Sequence, residues 1–139
     1  MNWLHWALLS AFFAALTAIL SKIGVTGIDS NLATAIRTAV VLGAAVLITT
    51  RTASWQAVRA LEAKTWVFLA LSGLATAASW LCYFRALQLG DAGRVAPVDK
   101  LSVVITVALA AIVLKEKVTS TQAMGLVLIV AGISLVTKG

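Results

Sequence analysis

Residues 93–114 read GRVAPVDKLSVVITVALAAIVL, and this stretch decides the fold. After Lys100 it contains no charged residue, and its polar and apolar positions do not alternate. A helix of this length rises about 33 Å, enough to cross a hydrocarbon layer about 30 Å thick. A strand of a membrane β-barrel would be about half as long and would alternate. The stretch therefore predicts a transmembrane helix.

Four more apolar runs of similar length flank this one. The five predicted spans are residues 3–21, 31–50, 65–87, 93–114 and 121–137. The 139-residue chain is 61% hydrophobic and 12% charged, whereas soluble domains are about 45–50% apolar and about 25% charged. We therefore predict an all-α polytopic integral membrane protein, a bundle of five transmembrane helices in one domain, residues 1–139. Lipid surrounds such a protein, here expected in the cell (inner) membrane. The link at residues 51–64 is long enough for a short interfacial helix.

Basic residues set orientation, because cytoplasmic links carry an excess of Lys and Arg. An odd number of spans places the two termini on opposite sides of the membrane. With a cytoplasmic N-terminus, the inner basic residues are Arg51, Arg59, Lys64, Lys115 and Lys117, and the outer ones are Lys22, Arg94 and Lys138. Arg37, Arg85 and Lys100 lie within spans nearer the outer side, and counting them removes this bias. The sequence thus encodes a small preference for a cytoplasmic N-terminus and allows dual topology.

Charged residues inside the predicted spans gather in one half of the membrane. Arg37 lies roughly 10 Å below the outer end of the second span, and Asp99 lies at a similar depth in the fourth. Each such charge costs at least about 2.5–3.5 kcal/mol, so it faces a partner, water or a substrate. Basic groups outnumber acids in this layer, which favours an anionic or carboxylate-bearing solute. The predicted substrate-binding or coupling residues are Arg37, Trp80, Tyr83, Arg85, Asp99 and Lys100.

The same residues allow a structural interpretation. Asp99 then pairs with Arg37 or Arg85, while Lys22 and Arg94 extend to the interface. Trp80 and Tyr83 would be packing residues or part of an interfacial aromatic belt. The sequence leaves both interpretations open.

Pro97 and two glycines add further signals. Pro97 removes a backbone donor from the fourth span and predicts a helix kink beside Asp99, although proline is also tolerated in the first turn of a helix. Gly125 and Gly132 are seven residues apart and therefore lie on one face of the fifth span. Small residues let helices approach closely in membranes, so this face predicts a dimer contact or packing inside the monomer.

Several functional classes lack their residue patterns. The chain has one His, one Cys and scattered carboxylates, so no spacing suggests a metal site or a cofactor. No nucleophile–base pair or phosphate loop suggests an enzyme, and we predict no catalytic residue. The net charge is +6, but the basic residues do not form a clustered stripe with interleaved aromatic residues, so we expect no nucleic-acid partner.

Several short stretches resemble a known family. Residues 95–104, VAPVDKLSVV, and residues 115–119, KEKVT, resemble an EamA-type repeat. Residues 22–24, KIG, residues 37–38, RT, and residues 83–90, YFRALQLG, resemble it too. EamA belongs to the drug/metabolite transporter superfamily, and this chain is most similar to the five-span bacterial and archaeal branch.

The resemblance implies an assembly. Many relatives carry two such repeats in ten spans, oppositely oriented around a central substrate path. This chain has one repeat, which implies a homodimer. Its two copies could be antiparallel. Gly125 and Gly132 look like the last-helix dimer contact of the related small multidrug-resistance transporters. Those exporters carry a glutamate in their first helix, but the first span here has no acid, which argues against a cationic-drug antiporter. Lys115 also departs from the Gly found in many EamA repeats.

The resemblance and the charge layer together predict a secondary membrane transporter of a small metabolite. It would be proton- or gradient-coupled and would rock one protomer against the other around the predicted site. The alternative is a non-transporting accessory or assembly subunit of a membrane complex.

Overall fold

The computed structural model describes residues 2–53, 58 and 60–138. Every regular element within these residues is an α-helix. The helices are α1 (Trp3–Gly24), α2 (Ser30–Thr52), α3 (Ala63–Leu89), α4 (Ala92–Asp99), α5 (Leu101–Val113) and α6 (Ser120–Lys138). Helices α4 and α5 together form one interrupted span, so five helical segments of the described chain are long and apolar enough to cross a membrane. The prediction of an all-α, five-span fold is confirmed.

The link between α2 and α3 carries one prediction that the structure does not address. The short interfacial helix expected within residues 51–64 falls mainly on residues 54–57 and 59. Those residues lie outside the described part of the chain.

A turn at residues 25–29 joins α1 to α2. Gly27 adopts a positive φ of 82°, a backbone conformation that costs glycine little because it has no Cβ. Asp29 then caps α2, and its Oδ1 accepts hydrogen bonds from the backbone N–H groups of Asn31 and Leu32 at 2.9 and 3.0 Å. These bonds satisfy two of the donors that a helix start leaves without helical partners.

Contacts divide the chain into two compact units, residues 21–89 and residues 1–20 with 90–139. In the first unit, α2 packs along α3. Its apolar core lies near the turn before α2, where Val25 and Leu87 are 1% and 0% exposed and Ala33 and Phe84 are also buried. In the second unit, α4, α5 and α6 pack on one another.

Most side chains of the described spans are not covered by other residues that the structure describes. At most 11% of the residues in the apolar stretch of any described span are buried. The exposed side chains are mainly Leu, Ile, Val and aromatic residues. Lipid tails cover such surfaces without a hydrophobic penalty, so these faces suit a bilayer or neighbouring membrane helices.

Candidate functional site

The fourth span is interrupted inside its length. Helix α4 ends at Asp99, α5 begins at Leu101, and Lys100 between them has a ψ of −7°. The N–H of Lys100 donates to the carbonyl of Pro97, and the N–H of Val103 donates to the carbonyl of Lys100, both at 3.0 Å. Each bond reaches back three residues, which is the tighter 3₁₀ spacing. Pro97 has no N–H to bond the carbonyl four residues earlier, so the regular ladder is already broken one turn before Lys100.

An ion pair sits at this interruption. The Nζ atom of Lys100 lies 3.3 Å from Oδ2 of Asp99. The two side chains are 55% and 37% exposed, respectively, so the pair is open rather than enclosed by the chain. Of the predicted site residues, the structure therefore brings Asp99 and Lys100 into direct contact. An open charged pair within a span is available to a solute or to a second protein chain.

Arg37 belongs to α2, and its side chain reaches aromatic residues of α3. Its guanidinium carbon is 4.1 Å from the ring centre of Trp80 and 5.6 Å from that of Phe84. Trp80 and Phe84 are four residues apart, so they share one face of α3. Tyr83, another predicted site residue, is half-buried on the same helix. Phe84 is absent from the predicted site, and the signal that finds it is its helical spacing from Trp80.

Removing the Trp80 ring that Arg37 stacks on should reveal how much that contact contributes to the stability of the protein. Trp80→Leu is expected to lower the free energy of unfolding by about 1–2 kcal/mol, because a shielded cation–π contact is worth up to about 2 kcal/mol. In an Arg37→Met background the same substitution should cost distinctly less. Denaturant titration of the four proteins of this double-mutant cycle measures the difference.

A second tryptophan of α3 provides the control for the cycle. Trp66 is 52% exposed, and Trp66→Leu should change stability by no more than about 0.5 kcal/mol. An equal cost of Trp80→Leu with and without Arg37 would show that the stacking contributes nothing.

Arg85 belongs to a different group of side chains from Arg37. Its Nη1 atom donates to Oε1 of Gln88 at 3.0 Å, and Nε2 of Gln88 donates to the carbonyl of Ile28 at 2.6 Å. Nζ of Lys22 donates to the carbonyl of Leu87, also at 2.6 Å. Gln88 and Lys22 are absent from the predicted site. Their signal in the sequence is only polarity at the end of an apolar span, and such residues are common there.

The two glycines of the predicted dimer face on the last span have open space where a Cβ would stand. Gly125 is half-buried and Gly132 exposed. A Cβ added at either position would meet no described atom within 4 Å, apart from the glycine's own helix and chain neighbours. Close packing inside the described part of the monomer therefore does not explain these glycines, and a contact with a second copy stays a prediction.

Five of the six predicted site residues, all but Tyr83, thus fall into three groups. Asp99 and Lys100 form the pair at the helix interruption, Arg37 stacks on Trp80, and Arg85 bonds to Gln88. That these groups act together on one solute stays a prediction.

Comparison with known proteins decides what kind of membrane protein carries these groups. The chain matches the EamA-like transporter family over residues 1–138. It belongs to this family. The EamA protein is also 53% identical over 131 residues to a protein of Sinorhizobium sp named "Uncharacterized transporter in cobO 3'region". That alignment covers 94% of this chain and 93% of the relative. No solved structure matches the chain.

Family membership confirms the resemblance drawn from the sequence. The protein is a multi-pass membrane transporter and is consistent with a half transporter of the drug/metabolite superfamily. The family and the relative's name both indicate transport rather than catalysis.

Proposed function

We propose that this EamA protein is a secondary transporter that moves a small metabolite across the cell (inner) membrane, driven by a proton or ion gradient. The observation that carries the proposal is the interruption of the fourth span at Lys100, beside the Asp99–Lys100 ion pair. Interrupted helices in transporters expose backbone groups and charges near the middle of the membrane, where they contact solutes and coupling ions.

The energetic cost of the pair supports a role in transport. Two ionised side chains inside a span are expensive unless they face each other, water or a solute. Here they face each other but stay partly exposed. A passing solute or proton can therefore displace one partner without first opening an apolar core. Lys100 is the group suited to an anionic or carboxylate-bearing solute, and Asp99 is the group suited to exchange a proton.

A second copy of the chain completes the proposed transporter. The chain holds one EamA repeat, and its spans bury few of their own side chains. A homodimer, antiparallel if dual topology holds, would enclose a path between protomers and bring Gly125 and Gly132 of one copy against the other. Rocking one protomer against its partner would then open the path to each side in turn. The small charge bias of the links favours a cytoplasmic N-terminus and is small enough to allow dual topology.

Purified protein in liposomes tests the proposal. We expect uptake of at least one compound from a panel of small carboxylates and phosphate, driven by an imposed pH gradient and abolished by a protonophore or ionophore. Empty liposomes provide the baseline. Before it is placed in liposomes, the purified protein should have twice the protein mass of one chain by light scattering. Uptake no faster than in empty liposomes, with a monomer that copurifies only with another protein, would favour the accessory-subunit alternative.

A further inference from the structure

A cleft of about 430 Å³ lies between the turn at residues 25–29 and the end of α3. Its volume falls within the range of about 300–1,000 Å³ that is usual for small-molecule sites. The lining residues are Lys22, Val25, Thr26, Gly27, Ile28, Arg85, Leu87, Gln88 and Leu89. The cleft therefore lies wholly within the compact unit of residues 21–89, at the ends of two helices long enough to span a membrane.

The charge of the cleft is positive. The ionisable side chains among its described lining residues are Lys22 and Arg85, and both are basic. Asp29 is near in sequence but does not line the cleft. One of its carboxylate oxygens already accepts the N–H groups of Asn31 and Leu32 at the start of α2. The acid thus caps a helix and is not one of the groups that line the cleft.

Long-range hydrogen bonds hold the cleft together. Lys22 bonds to the carbonyl of Leu87, and Gln88 bonds to the carbonyl of Ile28, each joining residues at least 60 positions apart in the chain. Val25 and Leu87, which also line the cleft, are almost fully buried. Such a site is largely formed before any ligand arrives, which lowers the cost of ordering it on binding.

The hydrogen bond that Arg85 makes leaves its guanidinium suited to bind an oxyanion. Its described side-chain partner is the neutral amide of Gln88 at 3.0 Å. A guanidinium carries five N–H donors in a planar fork, so one bond to an amide oxygen orients the group while leaving donors for a ligand. The fork matches the paired oxygens of a carboxylate or phosphate.

We propose that this cleft is an oxyanion site, in which Arg85 binds a phosphate or carboxylate group and Lys22 supplies the second positive charge. Gln88 is a positioning residue that holds the guanidinium at the cleft. The site goes beyond the proposed transport function, because anion binding here does not require transport at the interrupted fourth span. The ligand is a small soluble anion or the headgroup of an anionic lipid, which share this chemistry.

Titration of inorganic phosphate into the protein in phosphatidylcholine nanodiscs tests the site by calorimetry. We expect saturable binding that weakens at least about tenfold in Arg85→Gln, because hydrogen bonds to charged groups are the stronger ones. Arg85→Lys should retain part of the affinity, because it keeps the charge but loses the fork. The matched control is Arg51→Gln, which removes an exposed arginine at the far end of α2 and should change the affinity less than about twofold.

Lipid composition separates the two sources of the anion. If added phosphatidylglycerol weakens phosphate binding in the wild type but not the residual binding in Arg85→Gln, the lipid headgroup occupies the cleft. If it has no effect, the ligand is a soluble anion. Either result supports the oxyanion site. No saturable phosphate binding in phosphatidylcholine, or equal binding in the wild type and Arg85→Gln, would overturn it. Because the readout is binding, its failure is distinguishable from a failure of transport in liposomes.

Discussion

Asp99→Asn is expected to reduce gradient-driven uptake roughly ten- to a hundredfold, the factor that corresponds to losing an interaction of about 1.5–3 kcal/mol with a charged group. The carboxylate lies 3.3 Å from Lys100 at the interruption of the fourth span. The amide keeps the size of the side chain but cannot take up and release a proton, and it leaves Lys100 without its ionic partner. Initial rates of uptake into liposomes measure the loss.

A neighbouring aspartate provides the control for this result. Asp91 precedes α4, and its side chain makes no capping hydrogen bond. Asp91→Asn should therefore keep uptake within about twofold of the wild type, as expected for a surface position. Lys100→Met should also reduce uptake, because it removes the cation proposed to meet an anionic solute. Full activity in both Asp99→Asn and Lys100→Met would remove the interrupted span from the proposed mechanism.

Leu87→Ala is expected to lower the free energy of unfolding by about 2–5 kcal/mol, the range for removing a buried leucine and leaving a cavity. Leu87 is 0% exposed, and it packs at the core of residues 21–89 with Val25 close by in the lining of the same cleft. The substitution leaves the backbone carbonyl that accepts the Lys22 bond in place, so the effect isolates the apolar side chain. Denaturant titration in detergent micelles measures the change.

The matched comparison for Leu87 lies two residues later on the same helix. Leu89 is 73% exposed, and Leu89→Ala should change stability by no more than about 0.5 kcal/mol. Both substitutions remove the same atoms from the same helix end, so their difference reports burial alone. Equal effects would mean that the end of α3 does not pack on the turn before α2.

The sequence predicts the membrane fold well because the relevant physics is local. A run of about 20 apolar residues inserts as a helix, since lipid cannot satisfy the polar groups of an irregular backbone. Residues 93–114 meet this condition even with Pro97, Asp99 and Lys100 at their start. The depth predicted for Arg37 has the same local basis, because position along a helix converts to depth at a fixed rise per residue.

Which residues of different helices contact each other is less predictable from residue spacing in the sequence. Arg37 stacks on Trp80, more than 40 positions away in the chain, and the spacing of residues within α2 does not identify that partner on α3. Helices in a membrane are not driven together by hydrophobicity, so close packing and polar contacts choose the partners. Gln88 shows the same point, because its bond to the carbonyl of Ile28 depends on a turn geometry that a polar letter in the sequence does not reveal.

The sequence by itself determined that this chain is a five-span membrane protein, and its motifs indicated the EamA family. Composition and length suffice for this, because insertion into lipid depends on each segment's own apolar content. Only the tertiary structure decided that Asp99 and Lys100 pair where the fourth span is interrupted and that aromatic rings cover Arg37. It also decided that Arg85 and Lys22 line a separate cleft. These contacts depend on how helices and turns pack against one another, and the apolar content of a single segment does not determine that packing.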